Sequence, residues 1–157
     1  MAEAIVFVTL LHKVAGGKMV SEPMRVLLVE DDDHTHGMIR AVLKDVDPSI
    51  DVEIVINGYD ALNRYVKNGF YDLVIMDNAH PGLFGTELIE AILRINPLQP
   101  IILQTGNAGD HIGAFKQKHP NIPFLGKPYP LQQLRDFASA ALHQRDARLT
   151  DQPGLSV

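Results

Sequence analysis

The sequence has no cysteine, no tryptophan and only 6% aromatic residues. Basic side chains are also scarce: 14 Lys and Arg stand against 19 Asp and Glu, a formal net charge of −5. Each shortage closes off a class of function. Without cysteine there is no disulfide framework, thiolate zinc site or thiol nucleophile, which suits a reducing cytoplasm. A deficit of Lys and Arg argues against direct binding of nucleic acid, so any output directed at DNA would need another protein. Long apolar runs are missing too. The longest near the start, residues 4–11 (AIVFVTLL), falls far short of the roughly 18 to 20 residues that span a bilayer. It is preceded by Glu3 and followed by His12-Lys13, the wrong charge order for a secretory signal. No membrane partner is expected. The remaining composition, 157 residues with 46% hydrophobic and 21% charged, suits one domain with a real core.

Patterning divides the chain into three parts. Residues 12–24 run through Gly16-Gly17, Ser21 and Pro23, which marks a linker, so residues 1–24 form an N-terminal extension. Its eight apolar residues either extend without order or pair with a sheet edge or a second copy of the chain, which leaves a homodimer open. Residues 147–157 carry turn chemistry and no periodicity, the pattern of a tail with no output domain after it. Residues 25–146 are the domain.

Within it, short apolar runs alternate with helical patterns, the signature of repeated βα units. Val26–Val29, Leu73–Met76 and Ile101–Leu103 are uninterrupted apolar runs, as expected for parallel strands covered on both faces. Val52–Ile56 carries Glu53, and Ile122–Leu125 contains Pro123, which cannot donate to a ladder; both are expected at edges. Five parallel strands with the second and fifth outermost give the order 2-1-3-4-5, a doubly wound, flavodoxin-like α/β sheet with helices on both faces. Helices are expected near 35–45, 59–68, 85–96, 109–119 and 130–145. The last places Leu131, Leu134, Phe137, Ala138, Ala141 and Leu142 on one stripe. Gly106, Gly109 and Gly113 make the fourth the weakest helix.

In such sheets ligands bind beyond the carboxyl ends of the strands, where the strand order reverses. Strand one ends in Glu30-Asp31-Asp32-Asp33, strand three in Asp77, strand four in Thr105 and strand five in Gly126-Lys127-Pro128. Neighbouring strands one, three and four would bring Asp31, Asp77 and Thr105 into one crevice with Lys127 at its rim. Crowded carboxylates repel unless a cation is present, and oxygen-only ligands suit Mg²⁺, or Mn²⁺ in its place. A lysine and a hydroxyl facing that cation are the parts needed to hold phosphoryl oxygens.

Four motifs in order then identify a family. Leu28-Val29-Glu30-Asp31-Asp32, Asp72–Asp77 with Pro81 and Gly85 following, Ile102–Gly106, and Gly126-Lys127-Pro128-Tyr129 resemble the receiver domain of two-component response regulators. The resemblance implies that Asp77 accepts a phosphoryl group from a histidine kinase or phosphotransfer protein. It implies that Glu30, Asp31, Asp77 and the backbone carbonyl of Ala79 hold Mg²⁺, that Thr105 and Lys127 meet the phosphoryl group, and that the Lys127-Pro128 bond is cis. It further implies that Thr105 and Phe124 act as a switch read by a downstream protein target. Such a protein catalyses its own phosphorylation but is not otherwise an enzyme.

Several positions depart from the commonest pattern. Phe124 stands where many receivers carry tyrosine, so it has no hydroxyl to report its position. Ala79 and Asn107 occupy the places that tune phosphoryl lifetime in the family, and a methyl group at 79 cannot orient a water, which implies slow self-dephosphorylation. Two competing functions remain: a degenerate receiver used only for interaction or dimerisation, and a phosphatase of the haloacid dehalogenase type. Asp31-Asp32-Asp33-His34-Thr35 fits the Asp-x-Asp-x-Thr pattern of the latter, but no second acidic pair follows Lys127 at a strand end. Asp33 or Asp32 is also expected to cap the first helix. His34 and His36 lie two apart on a helix and do not face one way, which argues against a transition-metal site. Lys116, Lys118 and His119 read as a solvated helix end.

Overall fold

A computed structural model describes residues 22–106 and 110–150, with side chains at 110 and 146–150 left aside. Five strands alternate with five helices: β1 (Arg25–Val29), α1 (Asp33–Val46), β2 (Asp51–Val55), α2 (Gly58–Asn68), β3 (Leu73–Asp77), α3 (Gly85–Ile95), β4 (Ile101–Thr105), α4 (Asp110–Lys118), β5 (Phe124–Gly126) and α5 (Leu131–Thr150). All pairings are parallel and the order is β2-β1-β3-β4-β5, as the strand chemistry predicts. Every residue of β3 and β4 is buried, whereas β2, at an edge, is only partly buried.

The sheet separates two apolar layers through the two-residue period of its strands. Leu28, Ile75, Ile102 and Leu125 pack with Ile39 and Leu43 of α1 and Leu134 and Ala138 of α5. Leu27, Val29, Val74, Met76 and Leu103 pack on the other face with Ala61 and Tyr65 of α2, Leu88, Ile89 and Ile92 of α3, and Phe115 of α4. Each of the Leu, Ile, Val, Met and Phe side chains among them contributes roughly 1.5–3 kcal/mol by leaving water.

Local chemistry sets the boundaries. Helix α1 starts earlier than the hydrophobic pattern indicates because Asp32 caps it, accepting from the His34 backbone N–H at 2.9 Å and the Thr35 hydroxyl at 3.0 Å. Asp32 is therefore the cap, and Asp33 is the first residue of the helix. Helix α5 runs past the expected end near 145 to Thr150, and Leu131, expected in its apolar stripe, is exposed in the first turn. Strand β5 begins only at Phe124, since Pro123 lacks a donor and contributes its carbonyl to Leu103 N at 3.0 Å. Arg145 of α5 joins Asp72 ahead of β3 and the Glu22 carbonyl ahead of β1, so α5 is fastened to the amino ends of the strands. The expected pairing of residues 4–11, the roles of Gly109 and Asn107, and residues 151–157 of the tail lie outside the described residues.

Candidate functional site

Four polar side chains meet at the carboxyl edge of the sheet because they share one phase of the strand period. Glu30, Asp77, Gln104 and Lys127 each lie two residues beyond a member of the α1/α5 layer: Leu28, Ile75, Ile102 and Leu125. The registers Leu28↔Ile75, Ile75↔Ile102 and Gln104↔Leu125 then set them side by side, with Asp77 directly opposite Gln104. They lie where the order reverses, since β1 has β2 on one side and β3 on the other.

Lys127 holds the group together. Its Nζ donates to Asp77 Oδ2 at 2.5 Å and Glu30 Oε2 at 3.1 Å, in a site where Glu30 is 1% exposed. Burial pulls the lysine pKa down, but the hydrogen bonds and charges of Asp77 and Glu30 outweigh it and hold Lys127 above its ordinary value. The ammonium stays charged and neutralises two carboxylates that would otherwise repel. The Lys127-Pro128 peptide bond is cis.

The acceptors are further fixed by backbone. Asp77 Oδ1 accepts from Ala79 N at 3.0 Å, and Glu30 Oε1 from Asp32 N at 3.2 Å. Behind Asp77, the buried Asn78 receives Thr86 N on Oδ1 at 3.2 Å and donates its own N–H to the Gln104 carbonyl at 2.8 Å, tying the start of α3 to β3 and β4. Gly85 is required at that junction: a Cβ there would lie 2.8 Å from both Asn78 Cα and the Asp77 carbonyl oxygen. Gly82 turns the same loop with φ +89°.

The remaining predicted residues occupy distinct places. Thr105 ends β4, is 3% exposed, and accepts Lys127 N on its carbonyl at 2.7 Å. It is one residue out of phase with the Glu30–Asp77–Lys127 group, on the side of Leu103. Asp31 and Ala79 are exposed at the mouth. Phe124 is half-buried, with Lys116 Nζ 3.6 Å from its ring centroid. The basic cluster is therefore not simply solvated: Lys118 and His119 both meet Glu90 of α3, at 2.7 and 2.8 Å.

Sequence reasoning included Gln104 and Tyr129 in its motifs but gave neither a role. The Gln104 amide spans from Glu30 Oε2, 3.1 Å away, to the Tyr129 hydroxyl, which donates to its Oε1 at 2.6 Å. Burial pushes the Tyr129 phenol pKa up, so it keeps that proton. The available signal was a lone amide inside an apolar strand, IILQT.

Among the described residues no three His, Asp or Glu side chains converge as a ready metal cluster. The donor set is nonetheless the kind a hard cation uses: two convergent carboxylates, with Asp31 and the Ala79 carbonyl in the adjoining loops, and no sulfur or imidazole. The Asp-x-Asp-x-Thr pattern, in contrast, resolves into a helix cap, with Thr35 bonded to Asp32 and Asp33 paired with His36 at 3.3 Å. His36 also bonds the Glu30 carbonyl at 2.6 Å.

Comparison with known proteins agrees with this fold. The family model for the response regulator receiver domain matches residues 26–139. The regulatory protein VanRB of Enterococcus faecalis is 32% identical over 126 residues, covering 79% of this chain and 54% of VanRB. LuxO of Vibrio vulnificus is 27% identical over 117 residues, covering 74% of this chain and 25% of LuxO. The chain thus spans about half, or a quarter, of the length of these relatives. Among solved structures, a CheY-like receiver domain protein of Methanospirillum hungatei superposes with a TM-score of 0.69 at 24% identity, covering 80% of this chain and 98% of that one. The receiver domain of a LuxO repressor protein of Vibrio parahaemolyticus gives 0.66 at 28% identity, covering 82% and 95%. No helix among the described residues is long and apolar enough to cross a membrane. With the family model matching residues 26–139, which include all five strands but for Arg25, this chain belongs to the response regulator receiver family.

Proposed function

We propose that the chain is a phosphoacceptor receiver in a two-component relay, working in the cytoplasm, and that Asp77 carries the phosphoryl group. The observation that carries this reading is the half-buried Lys127 ammonium held jointly by the buried Asp77 and Glu30 carboxylates where the strand order reverses. A partner histidine kinase or phosphotransfer protein would present a phosphohistidine to this edge. An Asp77 carboxylate oxygen attacks the phosphorus, the P–N bond breaks, and the departing imidazole keeps the bond's electron pair and is protonated. The product is an acyl phosphate on Asp77.

Glu30, Asp31, Asp77 and the Ala79 carbonyl would hold Mg²⁺, or Mn²⁺, which supplies charge neutralisation for the phosphoryl oxygens. Lys127 gives a second positive charge on the same side, and the Thr105 hydroxyl supplies a hydrogen bond as the phosphoryl group arrives. The modification adds about −1.5 to −2 charges at this edge. Lys127 then divides its hydrogen bonds between Glu30 and the new oxygens. Thr105, at the end of β4, and Phe124, at the start of β5 where it registers with Leu103, pass the change to the surface of α4, β5 and α5, where a downstream protein reads it. The net acidic charge of the chain favours a protein over nucleic acid as that target.

Intact-mass analysis of wild type and Asp77→Asn with Mg²⁺ and a small acyl phosphate donor tests the reading. A single phosphoryl adduct on wild type, lost with chelator and absent from Asp77→Asn, is expected. An adduct that persists on Asp77→Asn, or none on wild type under any condition, overturns it.

A further inference from the structure

Gln104 lies within a strand whose other members are Ile101, Ile102, Leu103 and Thr105, and it is 0% exposed. A carboxamide is tolerated at such a position only when its hydrogen bonds are made. Both ends are satisfied, by Glu30 at 3.1 Å and by Tyr129 at 2.6 Å. Chemistry fixes the direction of this chain. An ionised carboxylate only accepts, so the NH₂ group faces Glu30; the amide oxygen then faces Tyr129, whose hydroxyl must donate.

Accounting for lone pairs at Glu30 gives the consequence. A carboxylate offers about four acceptor positions, two on each oxygen. Gln104 and Lys127 take both on Oε2, and the Asp32 N–H takes one on Oε1. One position remains, on Oε1. Without Gln104, Oε2 would regain a free lone pair and the carboxylate would be held by Lys127 and the Asp32 N–H alone.

We infer that Gln104, oriented by the Tyr129 hydroxyl, is a positioning residue that determines which oxygen of Glu30 is left for a divalent cation. Tyr129 acts only through the amide, since its bond is to Gln104 and not to either carboxylate. The inference rests on the phosphoacceptor reading, because it needs Glu30 to face a cation.

The test is a Mg²⁺ titration followed by amide NMR on the full chain, with urea midpoints measured in chelator for each variant. Gln104→Met keeps the volume and removes the donor; Tyr129→Phe keeps the ring and removes the hydroxyl. Each is expected to raise the Mg²⁺ dissociation constant by about tenfold, as loss of an outer-shell partner does. The double variant should bind no more weakly than Gln104→Met alone. A purely structural role would lower the urea midpoint and leave Mg²⁺ affinity unchanged. Affinity within about twofold of wild type in either folded single variant, or multiplicative losses in the double, overturns the inference. Wild type that binds no Mg²⁺ overturns the phosphoacceptor reading and this inference with it. Wild type that binds while the variants match it overturns this inference alone.

Discussion

Replacing Lys127 by methionine is expected to destabilise the protein in the absence of metal and to make its stability depend strongly on Mg²⁺. The ammonium lies 2.5 Å from Asp77 and 3.1 Å from Glu30, whose side chains are 10% and 1% exposed, while its own is 28% exposed. Removing one partner of a buried pair costs about 3–5 kcal/mol, because the remaining charge is left uncompensated. Solvent at the lysine screens part of this, and methionine retains the packing of the stem, which brings the expected cost to about 2–3 kcal/mol. In a domain of this size that is a fall in melting temperature of about 8–12 °C. Urea denaturation in chelator and in excess Mg²⁺ measures it, and Mg²⁺ should recover at least half of the loss by supplying the missing positive charge. The pH dependence has a definite sign. Lys127 is raised above its ordinary value of 10.5, so its contribution is fully present below 10.5 and disappears as pH rises through the higher folded value. The gap between wild type and Lys127→Met should therefore close only at strongly alkaline pH. A loss below about 0.5 kcal/mol in chelator, or one that Mg²⁺ leaves untouched, would refute the claim that the ammonium neutralises these two carboxylates.

Gly85→Ala should cost about 1–3 kcal/mol in urea unfolding, since its Cβ would meet backbone atoms of Asn78 and Asp77 at 2.8 Å; a cost within 0.3 kcal/mol would show that α3 can shift freely. Ala79→Asn should shorten the lifetime of phosphorylated Asp77 by about threefold or more, followed by intact mass over time after the donor is removed, because an amide at this exposed position can orient water. Glu90 is held below its ordinary value of 4.5 by the Lys118 and His119 hydrogen bonds, so its contribution is present above 4.5 and is lost as pH falls through the lower folded value. Glu90→Gln should accordingly cost less than about 1 kcal/mol at neutral pH, and the difference should vanish in acid.

Strand order was legible because burial leaves a mark on composition: runs without a charge became the central strands, and the runs holding Glu53 and Pro123 became the edges. Boundaries were less legible. Asp32 extends α1 through a capping bond that hydrophobic periodicity does not register, and Leu131 fits a helical stripe yet is exposed in the first turn of α5. The site was partly legible. Acidic residues, a threonine and a lysine at successive strand ends point to phosphoryl chemistry by type and position, whereas the Gln104 bridge depends on a partner 74 residues earlier and a tyrosine 25 residues later.

The sequence by itself determined the alternation of strands and helices, which strands lie inside, and which functional groups stand at the carboxyl edge, since these follow from local pattern and polarity. Only the tertiary structure decided how those groups divide among themselves. The two-residue period, combined with the parallel register, puts Glu30, Asp77, Gln104 and Lys127 on one side of the edge and Thr105 one step out of phase. Which oxygen of each carboxylate meets Lys127 follows from distances between segments far apart in the chain. Those distances come from the packing of both helix layers on the sheet, which no local stretch of sequence encodes.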